Sequence, residues 1–167
     1  QAALRGKNVI SLAVSPSNSK SLLAGTYDGL LRSEDGGLTW RPATGVVPKA
    51  ATASKTLRSK AVAASSGVRL PDAKILDVRF STAAPNMIWV ATSQGLFESV
   101  DNAGSWRKVQ GPVGGRTVHR VILHPTDQNW IALQAATRVY VSSDHGVSWN
   151  ETAVRAGQRR RSRAPCC

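Results

Sequence analysis

Ser33-Glu34-Asp35-Gly36-Gly37-Leu38-Thr39-Trp40 decides how this chain folds, because the same octamer returns twice. Ser99-Val100-Asp101-Asn102-Ala103-Gly104-Ser105-Trp106 and Ser142-Ser143-Asp144-His145-Gly146-Val147-Ser148-Trp149 keep the Ser, the Asp, a hydroxyl residue and the Trp in place. Asp101 and Asp144 stand 43 residues apart, and so do Trp106 and Trp149. Asp35 precedes Asp101 by 66, and the extra 23 residues all fall between Trp40 and Ile75. Self-similarity at such a period is the mark of a repeat architecture.

Working outward, each octamer closes a longer unit: Val9–Pro42, Ile75–Lys108 and Val118–Glu151. Every unit reads as an apolar run, a Pro/Asn turn, a second run, a short turn, a third run and the acidic turn. Ile75-Leu76-Asp77-Val78-Arg79-Phe80 and Val118-His119-Arg120-Val121-Ile122-Leu123 are rich in β-formers with partial alternation. Met87–Ala91 and Trp130–Leu133 supply second strands, Gly95–Ser99 and Arg138–Ser142 third strands, and a fourth is expected to start at each tryptophan. No segment makes a convincing helix. Four short antiparallel strands per unit is one blade of a β-propeller, so the expected fold is all-β, with three blades.

The octamers resemble the Asp-box, Ser-x-Asp-x-Gly-x-Thr-Trp, of the BNR-repeat propellers, and the resemblance spans residues 9–152. It implies a turn in which Asp35, Asp101 and Asp144 accept backbone N–H bonds. It implies a structural set comprising Ser33, Asp35, Gly37, Thr39 and Trp40, then Ser99, Asp101, Gly104, Ser105 and Trp106, then Ser142, Asp144, Gly146, Ser148 and Trp149. Ala103 stands where the glycine belongs. Either it bears strain of about 1 kcal/mol, or the turn moves on to Gly104. Families with this repeat include sialidases, xyloglucan-type glycoside hydrolases, sortilin-like receptors, photosystem II assembly factors and secreted bacterial repeat proteins. Their Asp-boxes lie away from the functional site, so no octamer carboxylate is expected to be catalytic.

The formal net charge of +12 suggests nucleic acid until it is located. Residues 47–74 hold Lys49, Lys55, Arg58, Lys60, Arg69 and Lys74 against Asp72, and the end holds Arg155, Arg159, Arg160, Arg161 and Arg163 without an acid. Those two segments account for +10, leaving the repeats nearly neutral. A basic folded face that tracks phosphates is therefore not indicated, and nucleic acid is not the expected partner. No apolar run reaches the roughly 18 residues of a membrane span. Cys166 and Cys167 are adjacent and give no metal spacing, and no cofactor is implied.

Blade 1 is expected over 1–46, blade 2 over 75–110 and blade 3 over 111–154. The Ala/Ser/Lys-rich insertion at 47–74 reads as flexible on composition, with a short helix at Ala61–Ala64 left open. The tail at 155–167 reads as a disordered end or a shifted frame, or else as an electrostatic arm. Gln1-Ala2-Ala3-Leu4 shows no signal core, which suggests a processed start or a longer gene. Three blades fit part of a six- or seven-bladed ring, closed by further blades or a second copy.

In a four-strand meander the acidic turns share one end of every blade, while the second-to-third hairpins and the linkers share the other. That second face gathers Tyr27, Asp28, Ser93, Gln94, Arg116 and Thr137, and it is the expected site for a protein or glycan ligand. Glycosidase chemistry needs two carboxylates across a sugar. Asp77 is the only acid in an innermost strand, facing either channel or core, and Tyr27 and Arg79 are conceivable members of a sialidase-like site that lacks the Arg-Ile-Pro motif. His119, His124 and His145 form no spaced set and read as satisfied or solvated. All five tryptophans read as core. The expected function is a non-catalytic, secreted or periplasmic binding scaffold. The alternatives are a piece of a sialidase- or xyloglucanase-like hydrolase, or of a photosystem II assembly factor-like protein.

Overall fold

The computed structural model describes residues 4, 6–43, 45 and 69–152. Most of the basic insertion, including Ala61–Ala64, and the arginine-rich tail lie outside the described residues. The rest forms twelve strands and, among the described residues, no helix. The first sheet is β1 (Val9–Val14), β2 (Leu22–Thr26), β3 (Gly29–Ser33) and β4 (Arg41–Pro42). The second is β5 (Ile75–Phe80), β6 (Ile88–Thr92), β7 (Gly95–Ser99) and β8 (Arg107–Lys108), and the third is β9 (Val118–Leu123), β10 (Ile131–Ala135), β11 (Arg138–Ser142) and β12 (Asn150–Thr152). Each is a consecutive antiparallel meander. The fourth strands begin one residue after each tryptophan rather than at it, and each indole N–H is bonded to a main-chain carbonyl, of Gly37, Ala43 and Gly146 respectively.

Registers repeat from blade to blade. Thr26 pairs with Gly29, Thr92 with Gly95 and Ala135 with Arg138, which leaves two-residue hairpins at Tyr27-Asp28, Ser93-Gln94 and Ala136-Thr137. Every innermost strand carries a bulge near its start, at Val9/Ser11, at Ile75/Asp77 and opposite Gln134/Ala135. A bulge adds twist and bends the strand, which the converging strands β1, β5 and β9 need where three sheets meet.

The sheets pack face to face, like successive propeller blades. Leu23 and Leu30 of the first meet Ile75, Val78, Ile88, Val90, Phe97 and Trp106 of the second. Trp89, Ala91 and Leu96 on the second sheet's other face meet Val118, Val121, Ile131, Leu133 and Tyr140 of the third. The middle blade is thus covered on both sides, and every residue of β6 and β7 is buried. The outer faces differ: Leu12 is 57% exposed, Val14 52% and Ile122 59%.

Both ends of the blades are fixed by main-chain bonds. On one end the acidic turn is tied to the preceding turn by Gly36 N to Lys20 O (2.9 Å), Asn102 N to Asn86 O (2.9 Å) and His145 N to Asn129 O (3.0 Å). On the other, the hairpins meet the linkers, through Tyr27 N to Asn8 O (3.3 Å) and Ser93 N to Lys74 O (3.0 Å). The chain therefore presents two chemically distinct faces.

Candidate functional site

The three acidic turns are built alike. Ser33 Oγ donates to Asp35 Oδ1 at 2.8 Å and accepts the Gly37 N–H at 2.8 Å, while Thr39 gives Asp35 its N–H at 2.9 Å and its hydroxyl. In blade 2, Ser99 donates to Asp101 (2.8 Å) and accepts from Ala103 N (2.9 Å), and Ser105 donates N–H and O–H at 2.7 and 2.6 Å. In blade 3, Ser142, Gly146 and Ser148 repeat the pattern around Asp144.

Hydrogen bonds to the charged form favour it. The Thr39 hydroxyl and amide hold the Asp35 carboxyl well below the usual range. The Ser148 hydroxyl and amide bring Asp144 to about 2. Burial opposes ionisation of Asp101, but the bonds from Ser105 and Ser99 prevail and its pKa too is lowered. Carboxylates occupied in this way are poor proton donors at neutral pH.

Of the two arrangements expected for the second octamer, a strained Ala103 is the one found, and Gly104 is not the turn glycine. Ala103 itself takes the left-handed position at φ 68°, matching Gly37 at 94° and Gly146 at 79°, and Gly104 has no positive φ. Shifting the turn would sacrifice the Ala103 N–H to Ser99. The Ala103 methyl is also buried in the core between the first two blades, which offsets part of the roughly 1–2 kcal/mol that a left-handed L-residue costs. Gly104 matters for space instead, since a Cβ there would lie 3.1 Å from the Asp101 carboxyl carbon.

The tryptophans divide by position. Trp89 and Trp106 are wholly buried, whereas Trp40, Trp130 and Trp149 are half-buried, so the expectation of five core tryptophans holds fully for two. Trp106 donates its indole N–H to Ala43 O of the preceding blade at 3.3 Å. Its ring lies against Gly45, and the Trp149 ring lies against Gly111 in the same manner. Both glycines follow a blade's own Trp by five residues. That five-residue spacing is the sequence signal for the contact.

The linker-side face assembles part of the expected set. Tyr27 is 48% exposed beneath the Lys74 ammonium, which sits 5.1 Å from its ring centroid. Asp28 accepts from Lys7 Nζ at 2.7 Å. Ser93 O receives the Thr117 hydroxyl at 3.3 Å, joining the second hairpin to the loop that carries Arg116. Gln94, Arg116 and Thr137 are exposed on this same end. A cleft of about 360 Å³ opens beside Asp28, lined by Lys7, Arg69, Asp72, Leu31 and Trp40 among others. An exposed phenol, paired charges and a recess on rigid hairpins can bind a polar ligand.

Two constellations lay beyond the sequence reading. Asp77 turns into the hub, where it accepts from Ser11 Oγ of blade 1 (3.2 Å), Val78 N (3.1 Å), Val121 N of blade 3 (3.1 Å) and Arg79 Nε (3.3 Å). One carboxylate thus joins three innermost strands. Glu98, buried in the face toward blade 3, pairs with Arg107 and with His145 Nε2 at 2.9 Å. His145 Nδ1 meets Gln128 O at 2.9 Å and the ring stands edge-on to Trp89. His145 is thus a satisfied histidine. His124 Nδ1 faces the Asp127 N–H at 3.1 Å in its own turn.

Three consecutive four-stranded meanders stacked around a hub define the class: β-propeller blades. Solved structures agree. The chain matches an ancestral GH74 enzyme over 87% of its length and 18% of that chain, at 17% identity and TM-score 0.64. It matches YCF48 bound to D1 peptide over 87% of itself and 40% of that chain, at 17% identity and TM-score 0.57. It also matches the extracellular domain of a one-component system from B. thetaiotaomicron, over 86% of itself and 16% of that chain, at 14% identity and TM-score 0.58. The chain therefore spans less than half the length of each, and identities this low speak for the fold alone. No protein-family model matches the sequence. No curated protein matches it either.

Proposed function

We propose that the chain is a non-catalytic binding module: three Asp-box blades of a propeller that recognises a protein or glycan through the face opposite its acidic turns. The observation that carries the reading is the division of labour between the two ends. At the acidic-turn end, all three repeated aspartates are occupied by their own Ser and Thr partners. At the linker end, Tyr27, Asp28, Ser93, Gln94, Arg116 and Thr137 stand on hairpins and loops fixed by the sheets beneath. YCF48, a structural neighbour, is seen with a peptide bound, which supports a protein ligand. An extracellular neighbour supports a secreted or periplasmic location. The apolar outer faces at Leu12, Val14 and Ile122 pack on further blades or a second copy.

A second reading is a piece of a secreted glycoside hydrolase, favoured by the likeness to a GH74 enzyme. A photosystem II assembly role would require a photosynthetic host. Peptide and glycan arrays, paired with reducing-sugar assays on xyloglucan and sialyllactose, separate these readings. A binding module retains a ligand without turnover and loses it on Tyr27→Ala or Asp28→Ala, but not on Asp35→Asn. Sugar release by the chain, abolished by one carboxylate substitution, would overturn the reading.

A further inference from the structure

The three blades can be compared position by position, and one position breaks the pattern. The fourth residue of each third strand faces the first residue of the fourth strand across the sheet. The pairs are Arg32 with Arg41, Glu98 with Arg107 and Val141 with Asn150. In blade 2 the pair is an ion pair, with the Glu98 carboxylate held between Arg107 and His145. In blade 1 an arginine stands where that acid belongs. Two guanidinium groups directly opposite each other repel.

The neighbouring acids answer only one of the two guanidinium groups. Glu34 meets Arg32 Nη2 at 2.9 Å, and Asp35 is taken by Ser33 and Thr39. Arg32 Nη1 donates to Asn102 O of the next blade at 2.7 Å, which fixes the head group. Its Nε is buried without an acceptor. Arg41 has no ion-pair partner among the described residues. The space differs as well. In blade 2 the recess at Glu98, Ser105 and Arg107 measures about 40 Å³. In blade 1 the corresponding recess, lined by Arg32, Glu34, Asp35, Thr39, Arg41 and Pro42, measures about 330 Å³.

We propose that this recess is a carboxylate-binding site, in which an acidic side chain of a peptide partner enters between Arg32 and Arg41 and does there what Glu98 does within blade 2. A carboxylate can accept the planar fork of Arg41, with the Arg32 guanidinium across the sheet adding its charge, and such charge-assisted bonds are the stronger kind. A peptide is favoured over an acidic glycan because, among the described residues, no aromatic ring lines the recess on which a sugar could stack. The site lies at the acidic-turn end of blade 1, away from the linker-side face, and stands independently of the function proposed for that face.

The test is fluorescence anisotropy with a labelled hexa-glutamate peptide, using hexa-glutamine and oligogalacturonate as competitors, on the full chain at low salt. Hexa-glutamate should bind, hexa-glutamine should not compete, and oligogalacturonate should compete no better than unlabelled hexa-glutamate. Arg41→Gln should weaken binding by about tenfold or more, the loss expected for hydrogen bonds between charged partners. Arg41→Lys should fall between, and Arg32→Glu, which supplies blade 1 with its own internal acid, should abolish binding. Arg138→Gln, which removes the same charge from blade 3, should have no effect. Circular dichroism confirms that each variant is folded. No binding, equal binding by Arg41→Gln and the unaltered chain, or better competition by oligogalacturonate would each overturn the proposal.

Discussion

Gly111 follows β8 by three residues and lies under the indole of Trp149, at a φ of 115°. An added Cβ would meet Trp149 Cδ1 at 2.8 Å and Nε1 at 3.3 Å. Gly111→Ala therefore carries two penalties. A positive φ costs an L-residue about 1–2 kcal/mol, and forcing a methyl against a seated ring adds about 1–3 kcal/mol of overpacking. The alanine also restricts the unfolded chain, which returns about 0.4–1 kcal/mol. The net loss is about 1–5 kcal/mol, centred near 3, a large share of a domain stability of roughly 5–15 kcal/mol.

Gly115 supplies the control. Its φ is 85°, yet nothing lies within 4 Å of the position its Cβ would take. Gly115→Ala thus carries the backbone strain without the clash and should lose about 1 kcal/mol. Urea unfolding followed by tryptophan emission reads both, since Trp149 itself reports on the contact. With slopes of about 1–3 kcal/mol per molar, Gly111→Ala should lower the midpoint by about 1–2 M and Gly115→Ala by well under 1 M. If the two variants unfolded together, the seating of Trp149 on the preceding blade's loop would be refuted.

Trp106 is wholly buried between two blades and Trp40 half-buried, so Trp106→Ala should cost about 3–5 kcal/mol in urea unfolding and Trp40→Ala less than half of that. Asp77→Ala strips four donors of their shared acceptor and should cost more than about 2 kcal/mol, with Asp77→Asn milder. A loss below that for Asp77→Ala would sink its role as the pin of the hub. Asp35, Asp101 and Asp144 have depressed folded-state pKa values, so their contribution is complete above the usual carboxylate value of 3.8 and disappears as the pH falls, in Asp144 toward about 2. The thermal midpoint should therefore drop across that acid window, and Asp144→Asn should lessen the drop. An unchanged slope would show that the turn bonds do not discriminate the charged form.

The blades were legible because the residues that close them have roles few others can fill. Ser and Asp two apart accept and donate within one turn, and Trp follows at a fixed distance, so the 43-residue spacing survives even where Ala103 replaces a glycine. What stayed hidden depends on register. Each innermost strand carries a bulge, and one extra residue moves every following side chain to the other face. Alternation alone thus left Asp77 facing either way. The pairing of Glu98 with His145 joins residues 47 apart on different blades, and no local pattern announces such a contact.

The same comparison shows what differs among the blades. The acidic turn is alike in all three, because its carboxylate, hydroxyls and amides satisfy one another locally. Variation falls where a blade meets its successor: Arg32 reaches the Asn102 carbonyl, Glu98 reaches the His145 ring, and Val141 occupies the corresponding place on the outer face of blade 3. A buried carboxylate at such a contact fixes which turn can dock, since a lone buried charge is heavily penalised. Glu98 and His145 thus make the contact between blades 2 and 3 specific. Between blades 1 and 2 a single carbonyl meets Arg32, which leaves part of the guanidinium unmatched. The contact that leaves the Arg32 Nε without an acceptor is also the one beside which the open recess lies.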